Sequence, residues 1–528
     1  MTSRRPFVFQ LLIALVAGAI GVPGFAPVYL WPLALLSLMA LFALWHRASG
    51  GSAKRIFAIG FAWGLGLFGA GVSWLYVSLH VYGNMPAAMA AFSIFLFCCY
   101  LSLFPAFAGL LQHKLIKRRG LSAAIGLVLV TPAAFVAFEY LRGWFLTGFP
   151  WLTFGYTQTP GGALAAPLAG YAPLFGAHGI SWLLALTAAI GVLLARPLAG
   201  VSLSRKGRTA SVSVVAAVWL LGHFLHHAPW SAPVGPALRV TLLQGNVEQS
   251  LKWREDQRVP TLKNYLELSE RSDAKLVVWP ETALPDFLDA VPADYLAAVK
   301  QRAAARNGDV LIGVPINERT QDALNPYRYT NSAISLGASA GQRYDKQHLV
   351  AFGEFIPPLF SWVYHWLKIP LAGFTPGDTG QQPMQIAGYK AAINICYEDA
   401  FGSEIASQLP EANLLVNISN MAWYGRSLAA DQHAQMSRMR AMETSRWMLR
   451  STNTGVTAAI DERGEMVAAL PQFERGALDV SAVPRTGTTP YVIWRDWPVL
   501  LGLLIVFLTA AFGGGARRIP PGHRPESQ

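Results

Sequence analysis

Residues 7–227 are almost continuously apolar, broken only by short loops, and one more apolar stretch lies at 497–514. A run of about 20 apolar residues crosses a bilayer as a helix, because a helix pairs its own backbone polar groups where water is absent. The pattern predicts eight spans, at 7–24, 28–45, 56–80, 87–112, 121–146, 178–196, 209–227 and 497–514. The third to fifth are long enough to tilt, and the Gly21–Pro27 turn separates the first two. Only 14% of the chain is charged, against about 25% in ordinary soluble proteins.

Basic residues fall on one side of these spans. Arg4 and Arg5, then Arg47, Lys54 and Arg55, then Lys114, Lys117, Arg118 and Arg119 share a side. Arg196, Arg205, Lys206 and Arg208, and finally Arg517, Arg518 and Arg524, share it too. The opposite short loops, 81–86 and 147–177, carry no Lys or Arg. Cytoplasmic loops are the Lys/Arg-rich ones, so both termini are expected in the cytosol. The net charge of +12 therefore reports membrane orientation, and no nucleic-acid partner is expected. Ser3-Arg4-Arg5 resembles a twin-arginine or cleavable signal. With seven further spans behind it, an uncleaved first helix is expected.

The seventh span then ends on the outer face, which places 228–495 outside the cytosol. Three regions follow: a membrane domain of seven helices at 1–227, an outer block at 228–495, and a last helix with a cytosolic tail at 496–528. Residues 228–236, rich in Pro and Gly, read as a linker. Beyond it, 239–246, 276–281, 309–314 and 413–418 read as strands, as does the run ending at Cys396. Residues 256–272, 292–307 and 431–448 read as helices. Alternating elements with continuously apolar strands predict an α/β layered domain. Tyr491, Trp494 and Trp497 suit a membrane interface where the chain returns.

Of the three cysteines, Cys98 and Cys99 lie inside a span. Cys396 closes Ala392-Ile393-Asn394-Ile395-Cys396, next to Tyr397-Glu398-Asp399. A lone thiol at a strand end suggests a nucleophile; a small buried hydrophobe is the alternative. Glu281 follows the strand 276–281 through Trp279-Pro280, and Lys346 lies in Tyr344-Asp345-Lys346-Gln347-His348. Placed at the ends of neighbouring strands, the three tips would meet in one cleft, as open α/β sheets favour. A carboxylate there can take the thiol proton, and an ammonium can steady an oxyanion together with the backbone N–H after the cysteine. Singly, Glu281 also reads as a helix N-terminal acid and Lys346 as an exposed charge.

Pro280-Glu281, Lys346 and Cys396-Tyr397-Glu398 resemble the Glu–Lys–Cys pattern of the nitrilase, or carbon–nitrogen hydrolase, superfamily. The flanking strings are more specific. Gln244-Gly245-Asn246, Leu251-Lys252-Trp253, Tyr344 to Val350, Phe352-Gly353-Glu354-Phe355-Ile356-Pro357 and Asn453-Thr454-Gly455 resemble the apolipoprotein N-acyltransferase family over essentially the whole chain.

The resemblance implies an α/β nitrilase-like domain of αββα type, outside the cytosol, inserted in an eight-helix transmembrane bundle of a bacterial inner membrane. It implies transfer of an acyl chain from a membrane phospholipid to the α-amino group of a diacylglyceryl-cysteine lipoprotein, by a ping-pong thioester route. Glu281 would be the general base, Lys346 the oxyanion stabiliser and Cys396 the nucleophile. Glu354, Tyr397 and Glu398 would support them. Trp253 would stand near the substrate entrance, and Asn331 would match a supporting or substrate-binding asparagine. No cofactor is expected. No metal is expected either, His433 reading as a packed or surface residue.

Segment 355–374 gathers aromatic and aliphatic residues around three prolines. It is too interrupted for a ninth span and is expected to be a lid on the outer leaflet, or else to pack on the globular domain. Trp423 and Tyr424 line the same mouth or fill the core. Glu139 and Arg142, three residues apart near the outer end of the fifth span, are expected to pair with each other, a lipid headgroup being the other partner. The chain is expected to be a monomer. Two competing readings are a membrane-tethered amidase or nitrilase for small amides, and a non-catalytic lipid-binding protein.

Overall fold

The computed structural model describes residues 5–119, 121–195, 203–321, 326–339, 341–357 and 373–512. Helices Arg5–Ile20, Trp31–Arg47, Ala53–Gly71, Ala87–Arg119, Ala172–Leu194, Arg205–His226 and Trp497–Phe512 lie in the apolar stretches. So does Ala123–Arg142, which contains a π-helical stretch at Gly126–Val130. Five segments are long and apolar enough to cross a membrane: Phe7–Gly24, Ala87–Arg119, Ala123–Arg142, Ala169–Leu194 and Arg205–His226. Trp31–Arg47 and Trp497–Phe512 are apolar but shorter.

The expected third span, 56–80, is not one helix. It ends at Gly71, and a separate π-helical piece occupies Val77–Tyr82. Ala53–Gly71 packs closely on Ala87–Arg119 because Gly60 and Gly64 face its backbone. A Cβ there would lie 2.6 Å from the Pro105 carbonyl oxygen and 2.8 Å from Ser102 Cα, respectively. Small residues of this kind let membrane helices approach backbone to backbone.

The block after residue 228 has four layers. One six-stranded sheet runs Gly476–Ala482, Leu238–Gln244, Leu276–Val278, Asp309–Arg319, Tyr327–Gly337 and Arg343–Asp345 in spatial order. The other runs Met466–Ala469, Ala458–Ile460, Met448–Thr452, Leu414–Ser419, Tyr389–Ile395 and Met384–Ile386. The central strands of each are parallel. Alternate residues of a strand face opposite sides. Leu238, Val240, Leu242, Leu276 and Val278 of the first sheet accordingly share one core with Ile393, Ile395, Leu414, Val416 and Ile418 of the second. Val277, Val310 and Ile312 face the other way, onto Leu262, Tyr265, Val299 and Ala303 of helices Glu255–Glu270 and Ala293–Ala305. Behind the second sheet lies helix Ala429–Thr444, whose apolar side chains join the core of the membrane helices.

Three expectations need correction here. The helix expected over 431–448 ends at Thr444, and Met448–Thr452 is a strand beyond a left-handed residue, Ser445. Tyr491 is buried rather than interfacial, while Trp494 and Trp497 are exposed. Glu139 and Arg142 do not bond to each other. Glu139 Oε1 accepts from the Phe154 backbone N–H at 2.8 Å, and Arg142 donates to the carbonyls of Phe149 and Trp151. Both turn to the 149–154 loop because its folded-back backbone has polar groups to satisfy. The expected lid, 355–374, falls mostly on 358–372, outside the described residues.

Candidate active site

Glu281 and Lys346 come from the first sheet, Cys396 from the second. The expectation that neighbouring strands of one sheet carry all three is therefore incorrect. Leu276–Val278, which leads to Glu281, and Arg343–Asp345, which leads to Lys346, are separated by two strands. Cys396 follows Tyr389–Ile395 in the facing sheet. Stacking the sheets brings the three together where their strands end.

Both sheets turn sharply at the site. Cys396 has φ 54°, and Thr282, directly after Glu281, has φ 47°. Left-handed backbone is unusual for any non-glycine residue and a true outlier for β-branched threonine, so surrounding contacts must hold it. Lys252 supplies one such contact, its Nζ donating to Thr282 Oγ1 and reaching the Glu281 carbonyl at 3.5 Å.

The two carboxylates and the ammonium form one buried unit. Lys346 Nζ lies 2.8 Å from Glu354 Oε2 and 3.5 Å from Glu281 Oε1. Asn331 Nδ2 donates to Glu281 Oε1 at 2.7 Å and to Glu354 Oε1 at 2.8 Å. Asn331 thus bridges the two like charges. Burial works against the Lys346 ammonium, but Glu354, Glu281 and Cys396 hold its pKa well above the ordinary lysine value. It stays a cation, as an oxyanion partner must.

The Cys396 thiol is pushed up by burial and by the Glu281 carboxylate, with Lys346 opposing. At rest it is a thiol, and a neighbouring base must take its proton during reaction. Glu281 Oε2 accepts the Asn420 backbone N–H at 2.8 Å, and the same N–H faces the sulfur.

Glu398 ties the lysine segment to the cysteine turn. Its Oε1 accepts from Gln347 N at 2.8 Å and His348 N at 3.1 Å, its Oε2 from Ile395 N at 2.6 Å, and Tyr344 Oη donates to both oxygens. Burial lifts its pKa to about 7, against the pull of those N–H donors and Lys346. Tyr397 Oη donates to the Gly148 carbonyl at 3.1 Å and its ring stacks on Trp151, so the turn is clasped to the loop after helix Ala123–Arg142.

Trp253 is 38% exposed, with Lys252 Nζ 5.9 Å from its ring centroid. Trp423 meets Tyr82 edge-on, and Tyr424 meets Trp74 edge-on at 4.8 Å. Both therefore pack on the segment that follows helix Ala53–Gly71. Lys252 and Asn420 escape a reading of the sequence. Lys252 sits in a string that looks like a solvated loop, and Asn420 acts through its backbone, which carries no residue-type signal.

A Cys–Glu–Lys centre between two stacked sheets defines a carbon–nitrogen hydrolase, here joined to long apolar helices that make it a membrane protein. Comparison agrees: the family described as carbon-nitrogen hydrolase matches residues 239–490, and that described as apolipoprotein N-acyltransferase N-terminal domain matches 17–190. The apolipoprotein N-acyltransferase of Nitrosomonas europaea is 43% identical over 97% of this chain and 99% of its own length. That of Methylococcus capsulatus is 44% identical over 93% of each. A solved carbon-nitrogen hydrolase from Helicobacter pylori G27 is 17% identical, with a TM-score of 0.32, over 50% of this chain and 94% of its own; the assignment rests on the full-length relatives. The chain belongs to the apolipoprotein N-acyltransferase family, and it is an acyltransferase.

Proposed function

We propose that this enzyme moves an acyl chain from a membrane phospholipid to the α-amino group of a lipoprotein's N-terminal diacylglyceryl-cysteine, through a thioester on Cys396. Glu281 takes the Sγ proton as the sulfur attacks the ester carbonyl. The new C–S bond leaves a tetrahedral oxyanion beside the Lys346 ammonium and the Tyr397 N–H. The C–O bond then breaks, and Glu281 returns the proton to the departing lysophospholipid oxygen. In the second half, the lipoprotein amine attacks the thioester carbonyl, its proton passes to Glu281, and the C–S bond breaks to restore the thiol. Glu354 and Asn331 fix the charges around Lys346, and Glu398 fixes the distance between Lys346 and Cys396. Trp253, Trp423 and Tyr424 line the approach for the two lipids.

The reading includes eight membrane spans, with regions 1–227 and 496–528 flanking a catalytic block, 228–495, on the periplasmic side of the inner membrane. Both termini are cytosolic and the enzyme acts as a monomer. The basic residues gathered on one side of the apolar stretches support this orientation.

The observation that carries the proposal is the contact of the cysteine turn with the membrane-helix loop, Tyr397 on Gly148 and Trp151. It joins the cysteine turn to the apolar helices, which supports a thiol within reach of phospholipid esters, where a shielded thioester meets lipid amines before water. Purified enzyme in nanodiscs containing acyl-labelled phospholipid should acquire label on Cys396 and pass it to a diacylated lipopeptide. Cys396→Ser should take up no thioester label while expressing normally. Undiminished N-acylation by that variant, or ammonia release from small amides without labelling, would refute the assignment.

A further inference from the structure

Against the Cys396 backbone lies a buried polar cluster with no part in the reaction just described: Asn417, His433, Ser437, Arg450 and Asp399. Two of its members reach the nucleophile's backbone. The Cys396 carbonyl oxygen lies 3.1 Å from Asn417 Nδ2 and 3.0 Å from His433 Nε2.

The protonation of His433 follows from its neighbours. Arg450 Nη2 lies 2.7 Å from His433 Nδ1, and a guanidinium only donates. Nδ1 must therefore accept and carries no hydrogen. Met421 Sδ, 3.1 Å from the same nitrogen, is a weak acceptor and yields to the guanidinium. The single ring proton sits on Nε2 and is shared, the shorter contact running to Asp399 Oδ1 at 2.6 Å and the longer to the Cys396 carbonyl at 3.0 Å. Burial first, and then Arg450, hold the His433 pKa below its ordinary value, so the ring is neutral. Arg450 is fixed in turn, donating from Nη1 to Asp399 Oδ2 at 3.0 Å, Asn417 Oδ1 at 2.8 Å and Ser437 Oγ at 2.8 Å.

Anchoring that carbonyl has a consequence on the opposite side of the same peptide. In a planar trans peptide the C=O and N–H point in opposite directions. Pulling the Cys396 carbonyl down onto His433 and Asn417 turns the Tyr397 N–H up, toward the face where the oxyanion forms. We infer that His433 is a positioning residue for acyl transfer: as the Nε2–H tautomer set by Arg450, it holds, with Asn417, the 396–397 peptide so that the Tyr397 N–H is aimed at the oxyanion. The inference rests on the reading that Cys396 carries the acyl group.

The test separates chemistry that passes through an oxyanion from chemistry that does not. Acyl loading from labelled phospholipid forms one; alkylation of Cys396 by iodoacetamide does not. Full-length enzyme in nanodiscs is assayed for both as wild type, His433→Asn and His433→Gln. Gln places an amide nitrogen near the position of Nε2, and Asn falls short of it. His433→Asn should slow acyl loading by about 100-fold, the loss typical of an ångström-scale misplacement. Its alkylation rate should stay within a few-fold of wild type, and His433→Gln should recover most of the loading. Should His433→Asn fail to fold, Asn417→Asp, of nearly the same shape but without the Nδ2 donor, should show the same split. Loading at the wild-type rate, equal losses in Asn and Gln, or loading and alkylation falling together would each overturn the inference. A wild type that takes no label overturns the underlying reading instead.

Discussion

At Lys252 an ammonium group is buried with two neutral oxygens, Thr282 Oγ1 and the Glu281 carbonyl, as its hydrogen-bond partners. Burial brings its pKa down to about 8, while Glu281 and Cys396 pull the other way. A fall from 10.5 to about 8 corresponds to about 3 kcal/mol of disfavoured charge. Between those two values the unfolded chain holds the proton and the folded chain releases it. Stability from this group therefore rises as pH rises through the window and is level well below it, where both states are charged. Lys252→Met removes the titration. The melting temperature of wild type relative to Lys252→Met, measured on detergent-solubilised protein, should climb from pH 8 toward pH 10.5 and stay flat near about pH 6. A difference independent of pH would mean that the ammonium is solvated. The residue scale is also where the sequence speaks most unevenly. Glu281, Lys346 and Cys396 are legible because a carboxylate, an ammonium and a thiol at strand ends have few other uses together. Lys252, His433 and Asn417 are not, because burial and tautomer are decided by neighbours distant in sequence.

Helix Ala429–Thr444 shows the same limit one level up. All of its residues but Asp431 are buried, although it carries Gln432, Gln435, Arg438 and Arg440. A sequence reading finds a helix but expects a solvated face. That face instead bonds to the membrane helices and their loops. Gln432 Oε1 accepts from Trp74 Nε1 at 3.1 Å and Trp151 Nε1 at 2.6 Å. Gln435 Nε2 donates to the Tyr156 carbonyl at 2.8 Å, and Glu443 Oε1 accepts from Ala177 N at 2.8 Å. Strand Tyr327–Gly337 is missed for a related reason. Thr330, Asn331 and Ser332 carry no apolar alternation, yet they are buried in the sheet. Gln432→Leu keeps the volume and removes the acceptor shared by two indoles. A buried donor left unpaired costs about 1–3 kcal/mol, so the variant should unfold at lower temperature than wild type. Because Trp151 also stacks on Tyr397, acyl loading of Cys396 should slow in the same variant. Loading unchanged at lowered stability would show that the tryptophans serve the fold alone.

Across the whole molecule the polar block and the apolar helices share one core. Ala429, Ala430, Ala434, Met436 and Met439 lie in the same cluster as Trp63, Phe154, Ala185 and Ala188. Polar ties cross the same junction: Tyr397 Oη to the Gly148 carbonyl, Tyr156 Oη to the Ala400 carbonyl at 3.3 Å, and a 3.0 Å contact between His348 Nε2 and the Thr147 carbonyl. The layered fold was legible from alternating strands and helices, and the apolar stretches from composition. Their fusion was not, because nothing in a residue's type says which of two cores it joins. Cutting the chain at 228 and 495 would leave the outer face of helix Ala429–Thr444 without its cover, exposing methionines, alanines and unpaired glutamines together. A contiguous apolar patch of that kind drives association in water. The fragment should therefore self-associate and bind a hydrophobic dye, and its Cys396 should lose the slow alkylation expected of a thiol held up by burial. Size-exclusion chromatography, dye binding and alkylation rate of the fragment, set against the full chain in detergent, read all three. A monomeric fragment with one cooperative melting transition and wild-type alkylation would show that the sheets hold the site unaided, and that the helices serve only to bring it to the bilayer.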